Sequence, residues 1–172
     1  KALAVLEEKH RAMQAIARSI DRTLVLRADR ADVPEILALQ KVAYQSEAEL
    51  YGDASLPALQ QSLPEIEADF ERLVFLKAVV NGKIIGSVRG VAEADCAHLS
   101  RVIVHPYFQG RGIARRLIAD IEGAFPAVSR YEAFTGHKSH RNLRTFGRLG
   151  YRMFRTEPFT PTITWVYMRK DR

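Results

Sequence analysis

The stretch from Val102 to Phe125, VIVHPYFQGRGIARRLIADIEGAF, constrains the fold more than any other part of the chain. An apolar run ending at Val104 is stopped by Pro106, Gly110 and Gly112 follow, and then Ile113, Leu117, Ile121 and Phe125 recur every fourth residue with Ala114 and Ile118 beside them. That order reads as strand, glycine turn and amphipathic helix. A helix start leaves about four backbone NH groups without partners and carries roughly half a positive charge from the aligned peptide dipoles. Glycines at such a turn let an anion approach the backbone, and Arg111, Arg115 and Arg116 add formal charge around it. The segment therefore predicts an α/β fold with a phosphate seat between a strand and a helix.

The rest of the chain supplies partners for this unit. TLVLRAD after Asp21 reads as a strand, and a helix follows with Asp32 as N-cap and Pro34 in its first turn. Leu56 to Leu73 reads as a second helix, broken or restarted at Pro64. LVFLKAVVNGKIIGSVRGV places Asn81 and Gly82 between two apolar runs, the strongest short-range hairpin signal. Cys96 to Val104 is a further strand. Beyond Pro126 come a strand at Arg130 to Thr135, a short helix at His140 to Leu149, and a terminal strand pair at Tyr151 to Phe154 and Ile163 to Met168. Residues 1–20 place Leu3, Leu6, Met13, Ile16, Ala17 and Ile20 near helical spacing, and read as an amphipathic appendage to a single domain over 21–172 that packs on it or on a second subunit.

With 172 residues, 47% hydrophobic and 27% charged, the chain fits one soluble domain and not a disordered, collagenous or membrane-spanning one. One cysteine, Cys96, excludes an internal disulfide, and with five scattered histidines it lacks the paired spacing of a zinc site. No metal is expected, and a reducing, cytoplasmic compartment is. The net charge of +6 is unevenly spread: Arg101 to Arg155 holds eleven basic and three acidic residues, whereas Val42 to Glu71 holds seven acids and no Lys or Arg. This asymmetry suggests an anionic ligand on the basic part and a cationic one near the acidic lobe, or two solvated surfaces of opposite sign. Aromatic residues do not interleave with the arginines as a stacking platform would, which argues against nucleic acid as partner.

The phosphate compound is narrowed by elimination. GxxxxGK followed by Ser or Thr is absent, and of the three glycines of GxGxxG only Gly110 and Gly112 are met, with Arg115 at the third position. The run Gln109, Gly110, Arg111, Gly112, Ile113, Ala114 resembles the core signature of the GNAT superfamily of N-acetyltransferases: Gln or Arg, two residues, Gly, one residue, then Gly or Ala. A second element, HKSHRNLRTFGRLGYR, is similar to the family's helix ending in Leu-Gly-aromatic, here Leu149, Gly150 and Tyr151. The order of elements from Leu24 to Met168 matches as well.

The resemblance implies a mixed, mostly antiparallel central sheet with a splayed cofactor cleft and flanking helices. It implies transfer of an acetyl group from acetyl-CoA to a primary amine, of a small molecule or a protein, by direct attack on the thioester. The backbone of Val102, Ile103 and Val104 would hold the pantetheine arm, and Gln109, Gly110, Arg111, Gly112, Ile113 and Ala114 the pyrophosphate. Asn142 would contact the cofactor near the thioester, and Arg148 or Arg144 the nucleotide phosphates, unless these arginines form a solvated face. Cys96 is then a packed strand residue and not a nucleophile. The tyrosine common five residues before the Leu-Gly-aromatic end is replaced by Phe146, which has no proton to donate. A water, Tyr151 or Ser139 takes that role, the thiolate leaves unassisted, or the chain is an acyl-CoA sensor of the same fold with weak or no catalysis.

For the base, His98 is the candidate, expected on alternation to share a face with Ser100 and Val102; Glu93 and Asp95 lie near a turn, and His137 and His140 read as surface residues. Glu47 and Glu49, with Asp53, would attract an ammonium-bearing acceptor, while Glu65 to Glu71 read as a solvated face. A cationic or neutral amine is expected in preference to an anionic one. Monomer and homodimer both remain open.

Overall fold

The computed structural model describes residues 23–172 together with Glu8, Arg11, Ala12 and Ala15. Those four positions apart, the helix read over residues 1–20 lies outside the described residues. Seven strands, β1 (Leu24–Arg27), β2 (Val74–Val80), β3 (Lys83–Glu93), β4 (Cys96–Val104), β5 (Arg130–Gly136), β6 (Arg152–Pro158) and β7 (Thr164–Asp171), form one sheet in the order β1-β2-β3-β4-β5-β7-β6. Every neighbouring pair is antiparallel except β4 with β5. The helices are α1 (Val33–Tyr51), α2 (Pro57–Gln60), α3 (Leu63–Arg72), α4 (Ile113–Gly123) and α5 (His140–Arg148). This is the mixed, mostly antiparallel sheet with flanking helices that the resemblance implies.

Local chemistry explains most boundaries. Asn81 and Gly82 take φ of 49° and 76°, the two left-handed residues of the tight turn that closes the β2–β3 hairpin at Val80 and Lys83. The helical stretch read over 56–73 divides at Gln61 and Ser62. Pro57 and Pro64 each stand in a first turn, where a missing NH costs little, and Glu65 accepts from both the NH and the hydroxyl of Ser62 at 2.7 Å. β6 runs four residues beyond the Phe154 end read from sequence. All seven of its residues are exposed, so it carries no alternation of apolar and polar residues to mark its length.

Two cores flank the sheet. Leu117, Ile118 and Ile121 of α4 are fully buried against Val88, Ala97 and Leu99, with Phe146 of α5 in the same cluster. On the other face Val33, Ile36 and Leu37 of α1 pack with Ile66, Phe75 and Ile103. Each such Leu or Ile contributes roughly 1.5–3 kcal/mol, which makes α1 and α4 rigid supports for whatever they carry.

β4 departs from regular alternation. Arg101 has φ of 51°, and the register steps from Ser87 opposite Ile103 to Arg89 opposite Ser100, so β4 carries one extra residue there. Such a bulge reverses the facing of all later side chains and sharpens the twist. Leu99, Val102 and Val104 accordingly join the α4 core while Ile103 joins the α1 core. The expectation that His98 shares a face with Val102 is therefore corrected. Pairing of β4 with β5 covers Cys96–Leu99 against Arg130–Ala133 and stops there, although β4 continues to Val104 and β5 to Gly136. Beyond that point the strands part and the sheet opens.

Candidate active site

The opening in the sheet is a cleft of about 890 Å³. One wall is the upper edge of β4. His105 N donates to Ile85 O at 2.8 Å, so by antiparallel alternation Ile103 also turns its NH and C=O toward β3, and Val102 and Val104 turn theirs toward the side that β5 has left. Val104 O accepts there from Gln109 Nε2 at 3.1 Å, which fixes the turn against the strand. The floor is the turn into α4. Gly110 and Gly112 take φ of 74° and 82°, and a Cβ at either would meet no atom within 4 Å: the space before this helix start is open.

The far wall is α5, whose Arg141, Arg144 and Arg148 line the cleft with Lys138 and with Arg115 of α4. Arg141 donates to Gln109 Oε1, joining this wall to the turn. Among the described residues one carboxylate lines the cleft, Glu47. The basic asymmetry seen in the sequence is thus concentrated at one site, with a single acid at its inner end.

A second, smaller cavity of about 150 Å³ continues from that inner end through the gap between β4 and β5. Tyr44 and Tyr51 from α1, Phe134 from β5, Phe146 from α5 and Trp165 from β7 give it aromatic walls, and its charged residues are Glu47 and Arg101. Tyr44, Glu47, Val102 and Asn142 line both spaces and mark where they meet. Glu47 accepts from the buried Ser139 hydroxyl, and Asn142 Nδ2 donates to Thr135 Oγ1 at 3.3 Å, so both are held in place from the opposite wall.

Of the residues singled out in the sequence, Val102, Ile103, Val104, Gln109, Gly110, Gly112, Ile113, Ala114 and Asn142 all line the cleft, and Arg144 and Arg148 line it too. Arg111 does not, and Arg116 instead donates to Thr23 O at 2.7 Å, tying α4 to the start of β1. Glu47 faces the junction, whereas Glu49, one residue past the next on the same helix, is exposed outside it. Asp53 is engaged elsewhere: hydrogen bonds from Ser55, and then from Thr162 and Thr160, hold its carboxyl below the ordinary aspartate range and tie two loops together. The rest of the acidic lobe is not simply a solvated face either. Glu65 caps α3, Glu71 pairs with Arg30, and Asp69 accepts from the buried Arg89 at 3.1 Å.

His98 lines neither space. It sits in the stretch of β4 that is still paired with β5, opposite Glu132 and Val91, with carboxylate oxygens of Glu93 and Glu132 at 3.9 Å. Four residues separate it from Val102, on the order of 10 Å along a strand. Cys96, His98 and Glu132 bring ligand-type atoms within 4.8 Å of one another, but Glu132 Oε1 is taken by Arg169 at 2.8 and 2.9 Å. Burial, and then Glu132, push the Cys96 thiol above its ordinary range, which is the wrong direction for a nucleophile. Tyr151, one candidate proton donor, is 3% exposed, lines neither space, and donates to Glu122 Oε1 at 2.8 Å. His140 lines the cleft, and half-buried His137 accepts from Thr164 N at 3.1 Å, so neither is a simple surface residue.

Sequence reasoning missed Tyr44, Arg101 and Arg141. Tyr44 had a signal, since it stands one helical turn before Glu47. Arg101 had none, because the bulge that turns it inward has no glycine to announce it.

Residues 40–172 match the acetyltransferase (GNAT) domain family. The chain is 29% identical over 122 residues to UPF0157 protein YqkA of Bacillus subtilis, covering 71% of this chain and 35% of that one. It is 44% identical over 62 residues to acetyltransferase ECA0875 of Pectobacterium atrosepticum, covering 33% of this chain and 44% of that one. The match thus spans under half the length of these curated relatives. Among solved structures, YncA of Salmonella typhimurium, solved with its cofactor acetyl-CoA, superposes with a TM-score of 0.69 at 18% identity, covering 87% of this chain and 93% of that one. The chain belongs to the GNAT family of acetyltransferases.

Proposed function

We propose that this chain moves an acetyl group from acetyl-CoA to the primary amine of a small molecule or an exposed protein amine. The observation that carries the reading is the meeting of two unlike spaces at Tyr44, Glu47, Val102 and Asn142: a long cationic cleft and a short aromatic one. Acetyl-CoA fits the first on this chain's own features. Gly110 and Gly112 leave room at a helix start for a diphosphate, five Lys and Arg side chains line the same cleft, and the edge that β5 leaves open, the backbone groups of Val102 and the NH of Val104, offers partners to an extended amide-containing arm. When bound there it supplies an activated acyl carbonyl.

The acceptor amine then comes from the aromatic space. A C–N bond forms as the C–S bond breaks, the nitrogen gives up two protons in all, and the departing thiolate takes up one. Glu47 stands where the first of these protons leaves, and the Ser139 hydroxyl orients it. His98, outside both spaces, has no part in this arrangement. Phe146 has no hydroxyl, that of Tyr151 is occupied and the Ser139 proton is directed at Glu47, so the thiolate takes its proton from the Tyr44 hydroxyl at the junction or from water in the open cleft. The lack of a hydroxyl at Phe146 favours a second reading, an acyl-CoA sensor with weak catalysis. One unpaired cysteine suits a reducing, acetyl-CoA-supplied cytoplasm, and none of the described helices is long and apolar enough to cross a membrane.

Release of free CoA thiol from acetyl-CoA, measured over a broad amine panel, tests the reading. Glu47→Gln is expected to lower kcat by about 10²-fold while CoA binding holds. Tight CoA binding with no thiol released on any amine would support the sensor instead, and full activity of Glu47→Gln would remove it from proton transfer.

A further inference from the structure

The aromatic cavity holds two charges of opposite sign, and among the described residues neither is neutralised. Glu47 has no cation within 4.0 Å among the described residues; its partner is the Ser139 hydroxyl. Arg101 makes no ion pair or side-chain hydrogen bond among the described residues, and its Nε is buried without a partner among them. Its guanidinium carbon stands 5.8 Å from the centroid of the Tyr44 ring, on the cavity wall. A half-buried guanidinium left this way is costly, and the cost is compounded by a backbone at φ of 51° that a non-glycine residue seldom adopts.

The neighbourhood offers Arg101 no relief. A second arginine, Arg89, is 2% exposed and close enough for the two charges to act on each other. The Arg89 guanidinium is held at its two NH2 ends, donating to Asp69 Oδ2 at 3.1 Å, to Gln61 Oε1 at 3.2 Å and to Gln40 Oε1, although its Nε is also buried without a partner. Asp69 also accepts from Gln61 at 2.7 Å and from Arg72 at 3.1 Å. Asp69, the acid that holds Arg89, is thus fully engaged. Burial first and Arg101 second lower the Arg89 guanidinium to about 10, as expected where two cations lie close without a second anion between them.

From this geometry we propose that the acceptor carries a carboxylate beside its amine, and that Arg101 binds that carboxylate while Glu47 faces the ammonium. The inference rests on the acetyl-transfer reading and names its substrate class: a free α-amino acid or a compound of that type. A space of about 150 Å³ is of the size that encloses a benzene ring. With walls of Tyr44, Tyr51, Phe134, Phe146 and Trp165 it suits an apolar side chain of leucine or phenylalanine size. Such a zwitterion has no net charge, so it falls among the cationic or neutral amines expected from Glu47, Glu49 and Asp53, and Arg101 on the same cavity adds the carboxylate.

The test compares leucine with leucinamide, and phenylalanine with phenylalaninamide, which keep the amine and the shape but lose the anion. Thiol release is followed in the wild type, Arg101→Gln and Arg101→Lys, and binding of each compound to the CoA-loaded protein is measured separately by calorimetry. The wild type is expected to favour the acids by about 30-fold in kcat/KM, mainly through KM. Arg101→Gln brings that ratio to near one and Arg101→Lys restores part of it. Preference for the amides, or an equal loss on acid and amide in Arg101→Gln, overturns the assignment while leaving acetyl transfer standing. Arg101-dependent binding of the acids with no thiol released supports the carboxylate site and sinks acetyl transfer, and no Arg101-dependent binding of any acid overturns the site.

Discussion

Tyr151→Phe separates a structural hydroxyl from a catalytic one. The phenol donates to Glu122 Oε1 at 2.8 Å, Lys170 Nζ holds Glu122 Oε2 at 2.7 Å, and the Glu122 side chain is only 13% exposed. A buried hydrogen bond to a charged group contributes about 1.5–3 kcal/mol. Because Lys170 remains to compensate the carboxylate, a loss of about 1.5 kcal/mol is expected, or about 3–6 °C in Tm for a domain of this size. The Phe146 ring, packed edge-on at 5.0 Å, stays in place since the aromatic ring is kept. Burial first, and then Glu122, push the Tyr151 hydroxyl far above the ordinary tyrosine range. The folded chain therefore keeps a proton that the unfolded chain releases near pH 10, so this stability is whole below about pH 10 and is lost as pH rises beyond it. Urea melts of the wild type and Tyr151→Phe from pH 7 to 11, with thiol-release rates alongside, read all of this. The variant is expected to be less stable at neutral pH, to lose less on going alkaline, and to keep kcat within twofold. A tenfold fall in kcat with unchanged stability would refute the reasoning and return Tyr151 to the site as proton donor.

Two further outcomes follow from the same geometry. Gly112→Ala forces a left-handed φ on a residue with a Cβ, costing about 1–2 kcal/mol, and puts a methyl group into the open space before α4; calorimetry should show CoA binding weakened by about tenfold or more, and an unchanged Kd would detach this turn from the phosphates. Arg89→Met leaves Asp69, Gln40 and Gln61 without their shared donor and is expected to cost about 3 kcal/mol in denaturant melts, with α2 and α3 loosened over the aromatic cavity; a neutral result would mean the network sets geometry alone.

The strand, turn and helix that build the cationic cleft were legible because each rests on local chemistry. Pro106, two glycines and a four-residue apolar repeat leave little else for Val102 to Phe125 to form. The aromatic cavity was not legible, because it depends on contacts that sequence spacing does not carry. Tyr51, Phe134, Phe146 and Trp165 come from four separate elements and meet only because β4 and β5 part. His98 was misplaced by a rule that holds only for an unbroken strand: one extra residue at Arg101 reversed the facing of everything after it. The acidic lobe misled in a different way, since charge density alone cannot tell Glu47, which faces the junction, from Asp69, which neutralises a buried arginine.

Among the described residues, the four residue pairs that join β4 to β5 are also the sole strand-to-strand stitching between two blades, β1 to β4 and β5 to β7. The cationic cleft and the aromatic cavity both lie above that seam, with one wall on each blade. Small rotations of one blade on the other, pivoting about Leu99 and Ala133, would therefore widen or narrow both spaces together, and a ligand that bridges Val102 to Asn142 acts as the clasp that sets the angle between them.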